Sequence, residues 1–321
     1  MDCGRPSRGT LNICRVNESM TYNPFRTALS LVTHPGAKGR AVSTLVRYGK
    51  WQLASRLLGQ TYVMPWIDDA RLYVSRGEAM VTHNLYTGLY EFADMLFFLR
   101  YLKTEDKFLD VGANAGVYSV LAGRVAKSEV LSFEPVPDTF RRLSENLRLN
   151  GLDATARTVN KGLADKAGTL RFTTQRDATN HVCAPGEQVE GAIDVPVARL
   201  DDELARMVYT PTVMKIDVEG YEYPVMQGAE RLLASESLEV ILIEMNDSGA
   251  RYGWSDESVS MLLRRQGFCA CEYLVAENIV RPVSGYRSTK QNTLFIRHPN
   301  AVNQRLRNPK EHDLHPTKTR V

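Results

Sequence analysis

Residues 107–135 read KFLDVGANAGVYSVLAGRVAKSEVLSFEP. Phe108, Leu109 and Val111 form an apolar run that stops at a turn, the pattern of a buried parallel strand. Gly112-Ala113-Asn114-Ala115-Gly116 makes the turn, and 117–125 is apolar enough for a helix packed on a sheet. A second strand over 129–133 stops at Glu134. Small residues in such a turn let a ligand approach the backbone and the helix N-terminus. An acid at the tip of the next strand can take both hydroxyls of a ribose. The stretch predicts a doubly wound α/β sheet that binds an adenosine-containing cofactor.

The turn also discriminates between cofactors. A dinucleotide site favours G-x-G-x-x-G, because the pyrophosphate needs close backbone approach. Here the pattern is Asp110-x-Gly112-x-x-x-Gly116, with a polar Asn114 inside it. A carboxylate opening the turn repels a pyrophosphate and attracts a cation. S-adenosylmethionine carries a sulfonium and an ammonium and no phosphate, so these residues favour it, with a dinucleotide as the remaining alternative. A tight turn in a nucleotide-free core would account for the two glycines, but poorly for Asp110 and Glu134.

Outward from this stretch, other strand tips gather acids and amides. Asn160 ends the third strand, Asp217 and Glu219 follow the strand over 211–217, and Glu244 and Asn246 follow that over 238–243. Ligands in an open α/β sheet sit beyond these carboxyl ends. Asp217 is the expected catalytic carboxylate. Methyl transfer to a hydroxyl needs an aligned nucleophile and a proton acceptor, whereas capping of the following helix is the structural alternative. Glu219 reads equally as a helix-entry acid or a partner of Lys215. Asp217, Glu244 and Asn246 also supply oxygen ligands of the kind that hold Mg²⁺, which would lower a hydroxyl's pKa; spacing alone leaves metal dependence open. His181 lies in a polar stretch, 174–190, expected to form a loop over the site. It is a second candidate base, against a structural or solvated loop histidine. Glu91, just before the nucleotide fold, is placed either toward the cofactor's methionine end or as a solvated helix acid.

The remaining chain sets the boundaries. Of 321 residues, 43% are hydrophobic and 24% charged, and the net charge of +3 is too small to argue for nucleic acid. Cys3, Cys14, Cys183, Cys269 and Cys271 are odd in number and fit no zinc spacing, which suits reduced thiols and a cytoplasmic setting. No run approaches the ~18 apolar residues of a membrane span. Residues 1–20 lack the apolar segment of a secretory signal and are expected to be disordered, with Met20 an alternative start to Met1. Residues 21–84 form an extension: two helical patterns over 24–58, then a hairpin with strands over 71–75 and 79–81. The helix at 41–58 is expected to pack on the domain. Its basic residues also fit a partner or membrane-surface helix, against which Gly49 and its weakly segregated polar residues count. A helix over 85–102 opens the main domain, 85–298. The charged, proline-containing 299–321 is expected to be disordered.

Several motifs together resemble the FkbM family of S-adenosylmethionine-dependent methyltransferases. They are LDVGANAG (109–116), SFEPVPDTFRRLSENLRLNG (132–151), the turn Gly162-Leu163-x-Asp165-x-x-Gly168-Thr169-Leu170, Val197-x-x-Leu200-Asp201, and above all MKIDVEGYEYPVMQGAE (214–230). The resemblance covers roughly residues 90–246, and the Lys215 to Gly220 block is its most specific part. It implies a seven-stranded class I methyltransferase fold and O-methylation of a hydroxyl, on a saccharide or glycolipid-like acceptor or on a polyketide or other natural product. By matching position, Asp110, Gly112, Asn114 and Gly116 would hold the methionine part and Glu134 the ribose. An NAD-dependent oxidoreductase is disfavoured by the missing G-x-G-x-x-G, and a non-catalytic binding module by the filled positions 110, 134 and 217.

Overall fold

The computed structural model describes residues 24–59, 61–174, 179–286 and 291–321; the expectation of disorder over 1–20 lies outside these. The chain opens with helices α1 (Pro24–Thr33) and α2 (Ala41–Leu58), strands β1 (Tyr62–Pro65) and β2 (Arg71–Val74), and helices α3 (Ala79–Thr87) and α4 (Phe92–Tyr101). The first half of the main sheet follows: β3 (Lys107–Val111), α5 (Val117–Val120) continued by a π turn (Leu121–Val125), β4 (Glu129–Phe133), α6 (Pro137–Leu149) and β5 (Ala156–Val159). A small side sheet comes next, of β6 (Gly162–Leu163), β7 (Gly168–Phe172) and β8 (Ile193–Ala198). The second half comprises α7 (Leu200–Met207), β9 (Val213–Ile216), α8 (Glu222–Gln227), α9 (Glu230–Leu233), β10 (Val240–Met245), α10 (Asp256–Arg265), β11 (Cys269–Leu274), β12 (Ile279–Pro282) and β13 (Gln291–Ile296). Helix α11 (Pro299–Arg305) and strands β14 (Asp313–Leu314) and β15 (Thr319–Arg320) close the chain.

The main sheet runs β12-β11-β13-β10-β9-β3-β4-β5. Strands β10, β9, β3, β4 and β5 are parallel, and β13, β11 and β12 extend the sheet antiparallel. From β3 the chain winds outward through β4 and β5, then returns to β9 on the other side of β3. This reversal opens a crevice at the strands' carboxyl ends, where ligands bind in doubly wound folds. The sheet thus has eight strands where the resemblance implied seven; the addition is the short edge strand β12.

Side-chain alternation decides what each face carries. Leu109, Val111, Met214, Ile216, Ile241 and Ile243 point into one core layer, and Phe108 and Leu242 into the other with Phe98 and Tyr118. Asp110 and Lys215 share the parity of Phe108, so both lie buried on that second face. They are direct partners across the β3–β9 pair.

Three expectations need correction. The hairpin pairs 62–65 with 71–74, and residues 79–87 are helical, because Gly77 at φ +95° turns the chain before α3. The helix placed over 85–102 is two helices, broken at Gly88 with φ +85°. The stretch 299–321 forms α11 and a small hairpin held by long-range contacts. His312 Nδ1 lies 2.7 Å from Asp68, the His315 N–H donates to the Trp66 carbonyl at 2.9 Å, and Arg305 pairs with Asp106. Such tertiary anchoring leaves no periodic trace in sequence.

The β1–β2 pair also braces the glycine turn. Asn146 on α6 accepts the Tyr73 N–H at 2.8 Å and donates to the Ala115 carbonyl at 2.8 Å.

Candidate active site

The turn after β3 keeps its shape through left-handed residues. Gly112 has φ +74°, Asn114 +50° and Gly116 +82°. A Cβ at Gly112 would lie 1.9 Å from the Asp217 carbonyl oxygen, and one at Gly116 2.5 Å from Leu143 Cδ1. The two glycines therefore let β3, β9 and α6 close on the turn. Gly112→Ala is expected to cost about 3 kcal/mol from overpacking and left-handed strain. Urea denaturation checks this, and S-adenosylhomocysteine should then no longer raise the melting temperature.

Glu134 lies at the tip of β4. Its carboxylate accepts the Asn114 N–H at 2.9 Å and the Val136 N–H at 3.0 Å, one on each oxygen. Burial pushes its pKa up to about 7, against these two hydrogen bonds. Each oxygen retains a second lone pair for a ribose hydroxyl. Asn160 is drawn instead into supporting the backbone: its Nδ2 donates to the carbonyls of Glu134 and Pro135 at 2.8 and 3.0 Å.

Beside the turn lies a buried charge cluster. Asp110 Oδ2 accepts the Ser119 hydroxyl at 2.6 Å, whereas Oδ1 is buried without a hydrogen-bond partner. Lys215 donates to Asp217 Oδ2 at 3.0 Å and sits 5.0 Å from the centre of the Tyr118 ring. Burial works against the Lys215 ammonium, but the charges of Asp217, Asp110 and Glu91 outweigh it and raise its pKa. Burial raises the pKa of Asp110 and of Glu91, with Lys215 the main opposing influence on each. Glu91 accepts the Tyr118 hydroxyl at 2.5 Å and Asn292 Nδ2 at 2.8 Å. The resemblance left Lys215, Tyr118 and Asn292 without a role. No local pattern pairs Lys215 with Asp110, because the match depends on β9 lying beside β3.

The outer part of the site is a carboxylate triad. One oxygen each of Asp217, Glu219 and Glu244 lie within 4.8 Å of one another. Burial and then the charges of Asp217 and Glu222 push Glu219 up to about 8. Burial and the Asp217 and Glu219 charges raise Glu244 far above the carboxylate range, and its Oε2 is buried without a partner. These three are the oxygen donors that a divalent cation would meet. Asn246 does not join them, because its Oδ1 accepts the backbone N–H and hydroxyl of Ser248. The phenol of Tyr90, pushed up to about 12 by burial and by Glu91, Asp217 and Glu244, senses the same triad.

One cleft is lined by Gly112, Asn114 and Glu134 together with Asp217 and Glu219. Asn180 and Val182 reach the cleft from the predicted lid, of which 175–178 lie outside the described residues. His181 between them is buried and turned away. Its Nδ1 is 2.9 Å from the Thr179 carbonyl and its Nε2 3.3 Å from Glu187. Both ring nitrogens are thus occupied within the loop, which makes His181 a poor base.

The site fits S-adenosylmethionine. The buried Asp110 Oδ1 is an acceptor without a protein donor, and Gly112, Asn114 and Glu134 line one cleft.

Comparison with known proteins gives the family. The family model described as the methyltransferase FkbM domain matches residues 110–269, about half of the chain. The hexuronic acid methyltransferase AglP of Haloferax volcanii is 31% identical over 144 residues, spanning 44% of this chain and 56% of that protein. The chain thus spans little more than half of that relative's length. Methyltransferase sdnD of Sordaria araneosa is 27% identical over 211 residues, covering 55% of this chain and 79% of that one. The crystal structure of methyltransferase FkbM from Methylobacillus flagellatus KT superposes on 61% of this chain and 44% of that one, at 15% identity and a TM-score of 0.39. With the family's domain lying across the glycine turn, Glu134 and the Asp217 block, the chain belongs to the FkbM family of S-adenosylmethionine-dependent methyltransferases.

Proposed function

We propose that the protein methylates a hydroxyl group on a saccharide, with Asp217 as the proton acceptor. The carrying observation is Asp217 itself: a carboxylate held by Lys215, lining the same cleft as the Gly112–Gly116 turn and Glu134. Bound S-adenosylmethionine supplies the electrophilic methyl group. Asp110 and Glu91 offer negative charge to its ammonium end, and the ribose hydroxyls fall to Glu134. The acceptor hydroxyl aligns in the cleft and gives its proton to Asp217 as its oxygen forms the new bond to carbon. S-adenosylmethionine held there would leave as the thioether S-adenosylhomocysteine, keeping the electron pair of the carbon–sulfur bond. Burial and the Asp217 charge hold Glu219 and Glu244 above the usual carboxylate range, which limits the charge that the triad accumulates. The name of the Haloferax volcanii relative favours an acidic sugar.

Two measurements test the proposal. S-adenosylhomocysteine at about 100 times Kd stabilises by about 2.7 kcal/mol, and should raise the melting temperature while NAD does not. Labelled methyl from S-adenosylmethionine should then enter uronic-acid-containing oligosaccharides. A shift with NAD alone would sink the cofactor assignment. Binding of S-adenosylhomocysteine with transfer only to non-saccharide hydroxyls would sink the acceptor assignment.

A further inference from the structure

Helix α2 is built inside out. Its inner face carries Thr44, Arg47, Tyr48, Trp51 and Ser55, of which Thr44, Trp51 and Ser55 are buried. Trp51 meets Tyr62 edge-on at 5.9 Å, Tyr48 meets Tyr86 at 5.4 Å, and Arg47 donates to the Tyr86 carbonyl at 2.6 Å. The aliphatic residues face out instead. Val42 is 77% exposed, Val46 48%, Leu53 62% and Leu57 73%, with Leu45 at 40% beside them. At 100° per residue, these five fall within a single sector of about 120°. Lys50 borders that sector and Arg56 lies within it, both exposed. The sequence expectation that α2 packs on the domain holds for its inner face. Its outer face carries two aliphatic patches along a helix of about 27 Å, Val42, Leu45 and Val46 in the first half and Leu53 and Leu57 in the second, with Gly49 and Lys50 between them.

Charge selects the partner. Residues 24–67 contain Arg26, Lys38, Arg40, Lys50 and Arg56 besides Arg47, and no aspartate or glutamate. A second copy docked face to face would set Lys50 and Arg56 against cations of its own kind, with no acid from this segment to relieve them. An anionic lipid surface satisfies both features, taking the aliphatic patches into its acyl boundary and the cations at its headgroups. No helix among the described residues is long and apolar enough to cross a membrane, which leaves α2 in the plane of the interface.

We propose that α2 docks the enzyme peripherally on an anionic membrane surface, through Val42, Leu45, Val46, Leu53 and Leu57 flanked by Lys50 and Arg56. This placement is independent of the acceptor assigned above. The full chain is floated with vesicles of phosphatidylcholine alone or with 30% phosphatidylglycerol. Binding to the anionic vesicles is expected to be at least tenfold tighter and to weaken as NaCl is raised. The double variant Leu53→Glu/Leu57→Glu should lose it, and Lys50→Glu/Arg56→Glu should weaken it at least tenfold. Both variants should keep the wild-type thermal shift with S-adenosylhomocysteine, since the altered side chains are exposed and remote from the glycine turn. Absence of binding, or equal binding to both vesicles, overturns the proposal. So does a dimer in sedimentation that Leu53→Glu/Leu57→Glu converts to monomer without any vesicle binding by the parent chain; the outer face is then a self-association surface.

Discussion

Lys215→Met is expected to destabilise the fold by about 3–5 kcal/mol, the cost of breaking a buried ion pair from one side, and to do so more at pH 8 than at pH 5.5. Methionine preserves most of the aliphatic stem, so the loss is one of charge. Lys215 is buried among Asp110, Asp217 and Glu91, and it opposes the burial that raises Asp110 and Glu91. Without it these carboxyls rise further in the folded state, while their unfolded values stay near the ordinary ~4. A group whose folded pKa exceeds its unfolded one binds more protons when native. Stability therefore falls as pH climbs from the unfolded value toward the folded one. In the wild type, Glu134 at about 7 and Glu219 at about 8 contribute the same sign. The variant should show a steeper fall over the same window. Urea midpoints at the two pH values check it, and an equal loss at both would make Lys215 a packing residue rather than the counter-charge of the site.

The parts of this site legible in sequence were those fixed by backbone. Gly112, Gly116 and Glu134 occupy positions that a strand–turn–helix–strand unit dictates, and the structure places them along one cleft. Asp110 was legible as a charge, but its pairing with Lys215 depends on which strand lies beside β3, which no local pattern encodes. Position near strand ends or in a lid marks Asn160, Asn246 and His181 as ligands or bases in sequence. Each proves to satisfy nearby protein groups: two carbonyls, a serine turn, and a loop carbonyl with Glu187. A polar side chain's position predicts its neighbourhood but not which partner claims it first. The same holds for α2, whose spacing gave a helix but whose burial pattern depended on aromatic partners at Tyr62 and Tyr86.

Asp217→Asn is expected to lower turnover 10²- to 10⁴-fold, the range of a positioned general base, while S-adenosylhomocysteine affinity stays within about threefold of wild type. The proposed cofactor contacts of Asp110, Gly112, Asn114 and Glu134 do not pass through the Asp217 carboxylate. The Asp217 backbone N–H stays bonded to Val111 at 3.0 Å, so the strand pairing under the turn survives. The amide still accepts from Lys215 but takes no proton. After burial, the Asp217 charge is the largest cause of the raised pKa of both Glu219 and Glu244. Its removal lets these two ionise at lower pH, where either can stand in as proton acceptor, so residual turnover in the variant should rise with pH as they ionise. That rise separates lost base catalysis from simple misfolding, which would depress turnover and cofactor affinity together. Turnover within tenfold of wild type and an unmoved pH profile would remove Asp217 from proton transfer, leaving it only the turn into Val218, Glu219 and Gly220.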